Sequence, residues 1–260
     1  MAGSGRPEIA FAAEATAVAH TFVGELADRV EVGGDDGHHL ARVRRVRVGE
    51  AITAADGTGA WRAYEVDDVR RGSVSLRATD ALRREPVLVP PLCVAFALTK
   101  GQKPETVVRQ LSELGVDVLT PVLAERSVVR VRGDRARDVT ERLGRVAREA
   151  ACQSRRARIA QVEAPRALSD VIALAGTGLV VADRGGPVTD RPLEARREGW
   201  TLVVGPEGGF GAAELASLAA APRVGVGPHV LRAETAAVAA AALLTDRRRA
   251  ATPGGDGPGC

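Results

Sequence analysis

Two glycine-containing turns are the stretches of this sequence best suited to hold a ligand. In the first, Thr201 to Glu214 (TLVVGPEGGFGAAE), a short apolar run predicts a buried strand that ends at Gly205-Pro206. The turn then carries four glycines and leads into a predicted helix, Ala212 to Ala221. Glycines leave backbone N–H groups uncovered, so a small molecule can lie directly on the main chain. The alternative is a tight connection that binds nothing.

The known nucleotide-binding loops do not match this turn. A Walker A loop requires Gly-Lys-Ser/Thr, and no lysine lies near it; a dinucleotide fingerprint requires glycine at the third place, where Glu207 stands. A second stretch, Val224 to Ala237 (VGVGPHVLRAETAA), repeats the plan of strand, Gly-Pro turn and helix start. Two such turns in one chain favour a shared binding site.

Together the two stretches resemble the paired signature of the ribosomal small-subunit methyltransferase E (RsmE) group of the SPOUT superfamily. The quoted residues are GPEGGFGAAEL (Gly205 to Leu215) and VGPHVLRAETA (Val226 to Ala236). Further co-linear matches are HHLARV (His38 to Val43), Lys100-Gly101 with Glu105, SELGV (Ser112 to Val116), ERS (Glu125 to Ser127) and EAACQSRR (Glu149 to Arg156). The likeness covers roughly residues 19 to 246.

The resemblance implies an α/β fold with a C-terminal SPOUT-type α/β knot and a parallel sheet, preceded by a small PUA-like β-barrel that binds RNA. The expected organisation is an N-terminal extension over 1–18, the barrel over 19–85, the knot domain over 86–250 and a disordered tail over 251–260. Chains are almost never knotted, so the threading of the last helix is implied by likeness alone.

Local sequence patterns predict the positions of individual strands and helices. Alternation over Arg42 to Val48 predicts a strand, as do AYEV (Ala63 to Val66) and SVSLRA (Ser73 to Ala78). Beyond a proline-rich linker near residue 85, alternating strands and helices predict a parallel sheet of about five strands. These strands are expected at Leu92 to Lys100, Val116 to Leu123, Thr177 to Asp183, 201–204 and 223–226. Helices are expected at Pro104 to Leu114, about Arg135 to Ser154 and Glu234 to Arg249.

Composition is that of a soluble globular protein, with 45% hydrophobic and 27% charged residues. No uncharged apolar run is long enough to span a membrane, and the N-terminus lacks the basic start of a secretory signal. Three widely spaced cysteines suggest a reducing compartment, and the histidines and cysteines show no metal-ligand spacing. We therefore expect a cytoplasmic protein without a metal.

Positive charge is concentrated between Arg126 and Arg158, a segment that contains eleven arginines and four acidic residues. Such a local excess of positive charge is typical of a surface that binds the phosphate backbone of a nucleic acid. The alternative is a helix face whose charged side chains are simply solvated. The residues expected to contact RNA are Arg42, Arg44, Arg126, Gln153 and Arg156. Gln153 and Arg156 could equally buttress the knot.

The resemblance further implies that a homodimer, with contacts from the apolar last helix, binds S-adenosylmethionine and methylates N3 of a uridine in the decoding region of 16S rRNA. The expected cofactor-binding residues, acting mainly through backbone groups, are Val204, Gly205, Pro206, Glu207, Gly208, Gly209, Val226, Gly227, Val230 and Leu231. Because backbone groups form this pocket, no acidic side chain is needed to bind the ribose of the cofactor.

Methyl transfer needs in-line placement of the reactants and removal of the weakly acidic N3 proton. In the LRAETA segment, Arg232 could stabilise charge on the uracil oxygens or hold a phosphate, and Glu234 could accept the proton. Alternatively, Glu234 is only a first-turn acid favoured by the helix dipole. The sequence departs from the family pattern at Gln110, His229, Ala233, Arg44 and Val46. The departures at 110 and 229 remove two potential phosphate contacts, so they affect the expected RNA contacts and not the cofactor pocket. Competing functions are a SPOUT methyltransferase for another RNA and a non-catalytic RNA-binding or assembly factor.

Overall fold

The computed structural model describes residues 17–99, 103–127, 129, 131–184 and 199–251, which form two compact units. Within these residues the first unit comprises 17–87 together with 151–159, and the second comprises 88–150 and 160–251. The sequence placed a boundary near residue 85 but gave no sign that nine residues return to the first unit. The expected extension and tail, and the Lys100-Gly101 match, lie outside the described residues apart from Ala17, Val18 and Ala251.

The first unit is built on a six-stranded sheet. Its strands are β1 (Ala19–Phe22), β2 (Arg29–Val32), β3 (Ala51–Ala55), β4 (Ala60–Arg70), β5 (Ser73–Ala78) and β6 (Arg83–Arg84). The order is β1-β3-β4-β5-β2, with β6 paired to β4; β1 runs parallel to β3 and the other pairs are antiparallel. No ladder joins β1 to β2 among the described residues, so hydrogen bonding does not close the sheet.

Two clusters of buried side chains hold this unit together. Alternate residues of the strands, among them Ile52, Tyr64 and Leu76, point into the main core, as the two-residue period of a strand requires. The second cluster joins Phe22, Ala55 and Trp61 to Ala151 and Ala157 from the returning segment. Residues 151–159 therefore supply part of the first unit's core.

The strand expected over Arg42 to Val48 is wrong. A short helix, α1 (Gly34–His38), runs into a π-helical turn, His39–Arg44, and a loop follows. A strand would place Val46 and Val48 on the same face, but Val46 is buried whereas Val48 is exposed. Arg42 and Arg44 are consequently exposed on a helical turn and do not form a basic strand.

The second unit is an α/β layer structure with a seven-stranded, wholly parallel sheet. Its strands are β7 (Leu92–Ala97), β8 (Val118–Leu123), β9 (Gln161–Val162), β10 (Arg166–Ala167), β11 (Leu179–Ala182), β12 (Trp200–Val204) and β13 (Arg223–Val224). Its helices are α2 (Lys103–Glu113), α3 (Asp134–Gln153), α4 (Leu168–Ala175), α5 (Ala212–Ser217) and α6 (Ala233–Ala251). The order is β10-β8-β7-β12-β11-β13, with β9 paired to β8.

The apolar strands β7 and β12 lie side by side in the middle of this sheet, with Ala95 opposite Val203. Both residues are fully buried, as expected for parallel strands covered on both faces. The five expected strands are present with shifted ends, whereas β9 and β10, of two residues each, and α4 were not predicted. The carboxyl ends of β11, β12 and β13 meet at one edge, where such sheets usually bind ligands.

The last helix, α6, packs within its own unit against α2, β7 and β12. Its buried residues, including Ala237, Ala241 and Leu244, cover the sheet, while Leu243 is 39% exposed. The buried face of α6 is thus occupied within its own unit, and the expectation that this helix supplies much of a dimer contact stays a prediction. The knotted threading of α6 stays a prediction. No helix within the described residues is long and apolar enough to cross a membrane.

Candidate functional site

A cavity of about 420 Å³ opens at the carboxyl ends of β11, β12 and β13. The two glycine-containing turns form most of its wall. From the first turn come Val204, Gly205, Pro206, Glu207, Gly209 and Phe210, and from the second Val226, Gly227, His229, Val230 and Leu231. The structure thus brings together nine of the ten residues that the sequence assigned to one binding site; Gly208 is not part of the wall.

The glycines of the cavity wall are there for different physical reasons. A Cβ on Gly205 would lie 2.9 Å from the Phe210 ring, so packing excludes a side chain at that position. Gly209 has φ +70°, a left-handed conformation that disfavours other residues. Gly227 has neither constraint, since an added Cβ would meet nothing within 4 Å and its φ lies outside the left-handed region. Its backbone faces open space, as a main-chain ligand contact requires.

Two contacts tie the first turn to the loop after β8. The Arg126 guanidinium donates to the Gly208 carbonyl at 3.1 Å. The Glu214 carboxylate accepts from the backbone N–H groups of Gly211 and Glu125, each at 2.8 Å. Glu214, the third residue of α5, therefore caps the start of the helix through the Gly211 N–H and, with its other oxygen, fixes the neighbouring loop.

A chain of charges lies beside the cavity. The ammonium of Lys103, the first residue of α2, forms an ion pair with Glu207 and lies 3.7 Å from a carboxylate oxygen of Glu234. The hydrogen bond to Glu207 raises the pKa of Lys103, and the same hydrogen bond lowers the pKa of Glu207. Lys103 is partly exposed, so solvent screens this pairing.

Glu234 stands in the first turn of α6 with its side chain only 20% exposed. Its Oε2 is buried without a hydrogen-bond partner, in a small crevice that shares Val204, Gly205 and Ala233 with the cavity wall. Arg232 is exposed, and it precedes Ala233 without itself lining the cavity. The two residues proposed from sequence to act on the substrate thus flank the wall and are not part of it.

The residues expected to contact RNA divide into an exposed and a buried set. Arg42, Arg44 and Gln153 are exposed in the first unit, where Arg44 Nη2 lies 3.4 Å from Gln153 Oε1. Arg126 is exposed at the cavity in the second unit. Arg156 is only 8% exposed, which corrects its assignment to RNA. Burial raises the pKa of Glu85, and the nearby Arg156 guanidinium opposes that shift, so Arg156 acts within the first unit.

Sequence reasoning missed several polar residues at the site. Asp183 follows the last residue of β11, lines the cavity and forms an ion pair with Arg223. Its position after an apolar run at the carboxyl end of a parallel strand was the available signal. Arg184, Lys103 and the apolar Leu215 and Leu218 were missed as well. Among the described residues, no three His, Cys, Asp or Glu side chains are grouped to hold a metal ion.

Comparison with known families assigns both units. A family model for the RNA methyltransferase domain matches residues 87–245, and a model for the RNA methyltransferase PUA domain matches residues 32–78. The parallel α/β unit with its cavity and the β-sheet unit together define an RNA methyltransferase with a PUA domain.

Individual relatives narrow this class. The chain is 37% identical over 230 residues to the ribosomal RNA small subunit methyltransferase E of Mycobacterium tuberculosis, covering 83% of this chain and 87% of the relative. It is 28% identical over 233 residues to the Bacillus subtilis protein of the same name, covering 85% and 91%. The chain belongs to the ribosomal RNA small subunit methyltransferase E family, which confirms the resemblance seen in the sequence motifs.

Solved structures confirm the expected fold. The S-adenosyl methionine-bound ribosomal RNA small subunit methyltransferase E from Neisseria gonorrhoeae superposes with a TM-score of 0.76 at 22% identity, covering 88% of this chain and 97% of that one. A methyltransferase from Legionella pneumophila, in complex with the same cofactor, gives 0.73 at 24% identity, covering 87% and 96%. At these identities the likeness concerns the fold.

Proposed function

We propose that the protein transfers the methyl group of S-adenosylmethionine to N3 of a uridine in the decoding region of 16S rRNA. The observation that carries this proposal is the cavity at the carboxyl ends of β11 and β12, whose wall is made by the two turns with the family signature. The named relatives act on small-subunit ribosomal RNA, and the proposal extends their chemistry to this chain.

The cavity fits the proposed methyl donor. Its volume of about 420 Å³ is that of a small-molecule site, and Val204, Phe210, Leu218 and Val226 offer the apolar surface that an adenine ring requires. The open backbone at Gly227 suits hydrogen bonds to the edge of such a ring. Binding is assigned to the ten residues predicted from sequence, with Gly208 acting through its bond to Arg126. When bound, S-adenosylmethionine supplies an electrophilic methyl group on a sulfonium.

The chain itself must take up the proton that N3 loses when it gains the methyl group. Glu234 is assigned this role because its buried Oε2 has a lone pair that no protein donor occupies. The Lys103 ammonium lies 3.7 Å from the other carboxylate oxygen, Oε1, so the two oxygens of Glu234 have different surroundings. Arg232 is assigned to the charge that develops on the uracil oxygens, or to a neighbouring phosphate.

Exposed arginines supply the surface for RNA. Arg126 lies at the cavity, and Arg42 and Arg44 lie on the helical turn of the first unit. On α3, Arg135, Arg137, Arg142 and Arg145 are exposed as well. Their contribution is electrostatic and independent of sequence, so the affinity for RNA falls as salt rises.

A homodimer in the cytoplasm is part of the proposal. Leu215 and Val230 line the cavity and yet are 45% and 73% exposed. Apolar side chains left open at a binding site suit a cover supplied by a second protomer. This assigns the dimer a contact at the cavity in addition to the one expected on α6.

The test is transfer of labelled methyl from S-adenosylmethionine to small ribosomal subunits that lack the modification, with naked 16S rRNA and bulk tRNA alongside. Label recovered from the small subunit as 3-methyluridine is the expected result. Label on a different RNA or base would replace the proposal with a methyltransferase of another specificity. Cofactor binding without transfer to any RNA would replace it with a non-catalytic RNA-binding role.

A further inference from the structure

Lysine is nearly absent from this chain. Of its 36 lysine and arginine residues, only Lys100 and Lys103 are lysine, and both lie in the segment that leads into α2. Because arginine is the chain's cation at all its other lysine-or-arginine positions, lysine at position 103 is unusual for this sequence. The side chains differ: guanidinium is a planar fork suited to bidentate pairing, whereas ammonium is a compact charge on a flexible stem.

The two carboxylates around Lys103 favour a compact cation at this position. Its Nζ lies between two carboxylates from separate parts of the chain, pairing with Glu207 in the first turn and lying 3.7 Å from Glu234 in α6. Arg232 is the other charged group that acts on both Lys103 and Glu207. The set thus contains two acidic and two basic side chains, contributed by α2, the turn after β12 and the start of α6.

We propose that Lys103 is a positioning residue for Glu234, holding its carboxylate in place and linking it to the first glycine-containing turn through Glu207. This inference rests on the proposed function, because it gives Glu234 the role of proton acceptor. Lys103 reaches both carboxylates, so the role assigned to it is exerted through these two partners.

The consequence is a loss of turnover without a matching loss of cofactor affinity. Lys103→Met removes the ammonium that lies between Glu207 and Glu234, so the Glu234 carboxylate is no longer held in the position from which it accepts the N3 proton. We expect kcat of Lys103→Met to fall about tenfold, with the dissociation constant of S-adenosylmethionine changed less than about threefold.

Two variants serve as references. Lys103→Arg retains the charge but not the compact shape, so it should restore part of kcat. Arg109→Met removes one positive charge from an exposed site on the same helix and should leave kcat unchanged. Equal kcat values for Lys103→Met and Arg109→Met would overturn the proposal.

A double-mutant cycle identifies the partner through which Lys103 acts. If Lys103 works through Glu234, adding Lys103→Met to Glu234→Gln should change the rate by less than about twofold. A full tenfold loss in that background, together with no loss in the Glu207→Gln background, would assign Lys103 to the first glycine-containing turn alone and refute the proposal. A wild-type protein that methylates no RNA would refute the proposed function, whereas an active wild type with additive cycles would refute only the role of Lys103.

Discussion

Arg248 and Asp117 form a nearly buried ion pair at the end of the sheet opposite the cavity. Arg248 Nη1 donates to Asp117 Oδ2 at 2.6 Å, and its Nη2 donates to the Gly115 carbonyl at 2.7 Å. The same Asp117 oxygen accepts the backbone N–H of Leu92, the first residue of β7. One carboxylate thus joins the last helix to the start of a central strand.

Replacing Arg248 with methionine should destabilise the protein strongly. The arginine is 1% exposed, and its loss leaves the carboxylate of Asp117 without its cation in a mostly enclosed site. Breaking such a pair costs about 3 to 5 kcal/mol. Urea unfolding should show the loss as a lower midpoint. Arg249→Met, at the exposed neighbouring position, should change the midpoint little, and equal midpoints for the two variants would contradict the assignment.

Alanine at two glycines of the cavity should separate ligand binding from folding. Gly227→Ala should leave the free energy of unfolding within about 0.5 kcal/mol, because its Cβ meets no protein atom. It should weaken S-adenosylmethionine binding at least about tenfold, a loss of about 1.4 kcal/mol, as titration calorimetry would measure. Gly205→Ala should lower stability through its clash with Phe210. Unchanged affinity in Gly227→Ala would place the ligand elsewhere.

Substitution of Glu234 with glutamine should affect the chemical step. An amide cannot accept the N3 proton, so kcat should fall by about 10² to 10⁴, the usual contribution of a general base. Binding of S-adenosylmethionine should persist, which calorimetry on the same sample checks. Asp134→Asn, in the first turn of α3, is the matched control for loss of a helix-terminal charge and should cost at most about 1 kcal/mol of stability. A Glu234→Gln enzyme with full kcat would leave Glu234 with only the helix-terminal role.

Acid should weaken the first unit through His20. Burial lowers the pKa of His20 from 6.5 to about 4, and its Nδ1 lies 2.8 Å from Thr53 Oγ1. The unfolded chain therefore binds a proton before the folded chain does, and stability falls as pH drops from about 6.5 to 4. The maximum loss is about 3 kcal/mol. Urea unfolding across this range should show a shallower slope in His20→Gln than in the wild type; parallel slopes would contradict this.

The predictions from sequence are right where a motif determines the path of the backbone, and wrong where tertiary packing determines it. The turns at Gly205 and Gly227 line one cavity, as expected from the glycines and the repeated plan of the two stretches, and their role in binding stays a prediction. The π-helical turn at His39–Arg44 was missed because the alternation of arginine and valine over Arg42 to Val48 imitates a strand, whereas Val46 is buried and Val48, which a strand would place on the same face, is exposed. Strands of two residues, such as β9, have no period to detect. The burial of Arg156 could not be predicted either, because Arg156 lies in a basic segment and nothing in the sequence distinguishes it from the other arginines there.

The return of residues 151–159 to the first unit affects how the protein is made. Phe22 and Trp61 pack against Ala151 and Ala157, and the Cys152 thiol donates to the His20 carbonyl at 2.8 Å. During synthesis the chain emerges from its N-terminus, and domains generally fold as units in that order. Here the N-terminal unit cannot complete its core until residue 159 has left the ribosome, by which point β7, α2, β8 and α3 have already been made. A nascent chain arrested before that point should expose Trp61 to solvent and to chaperones.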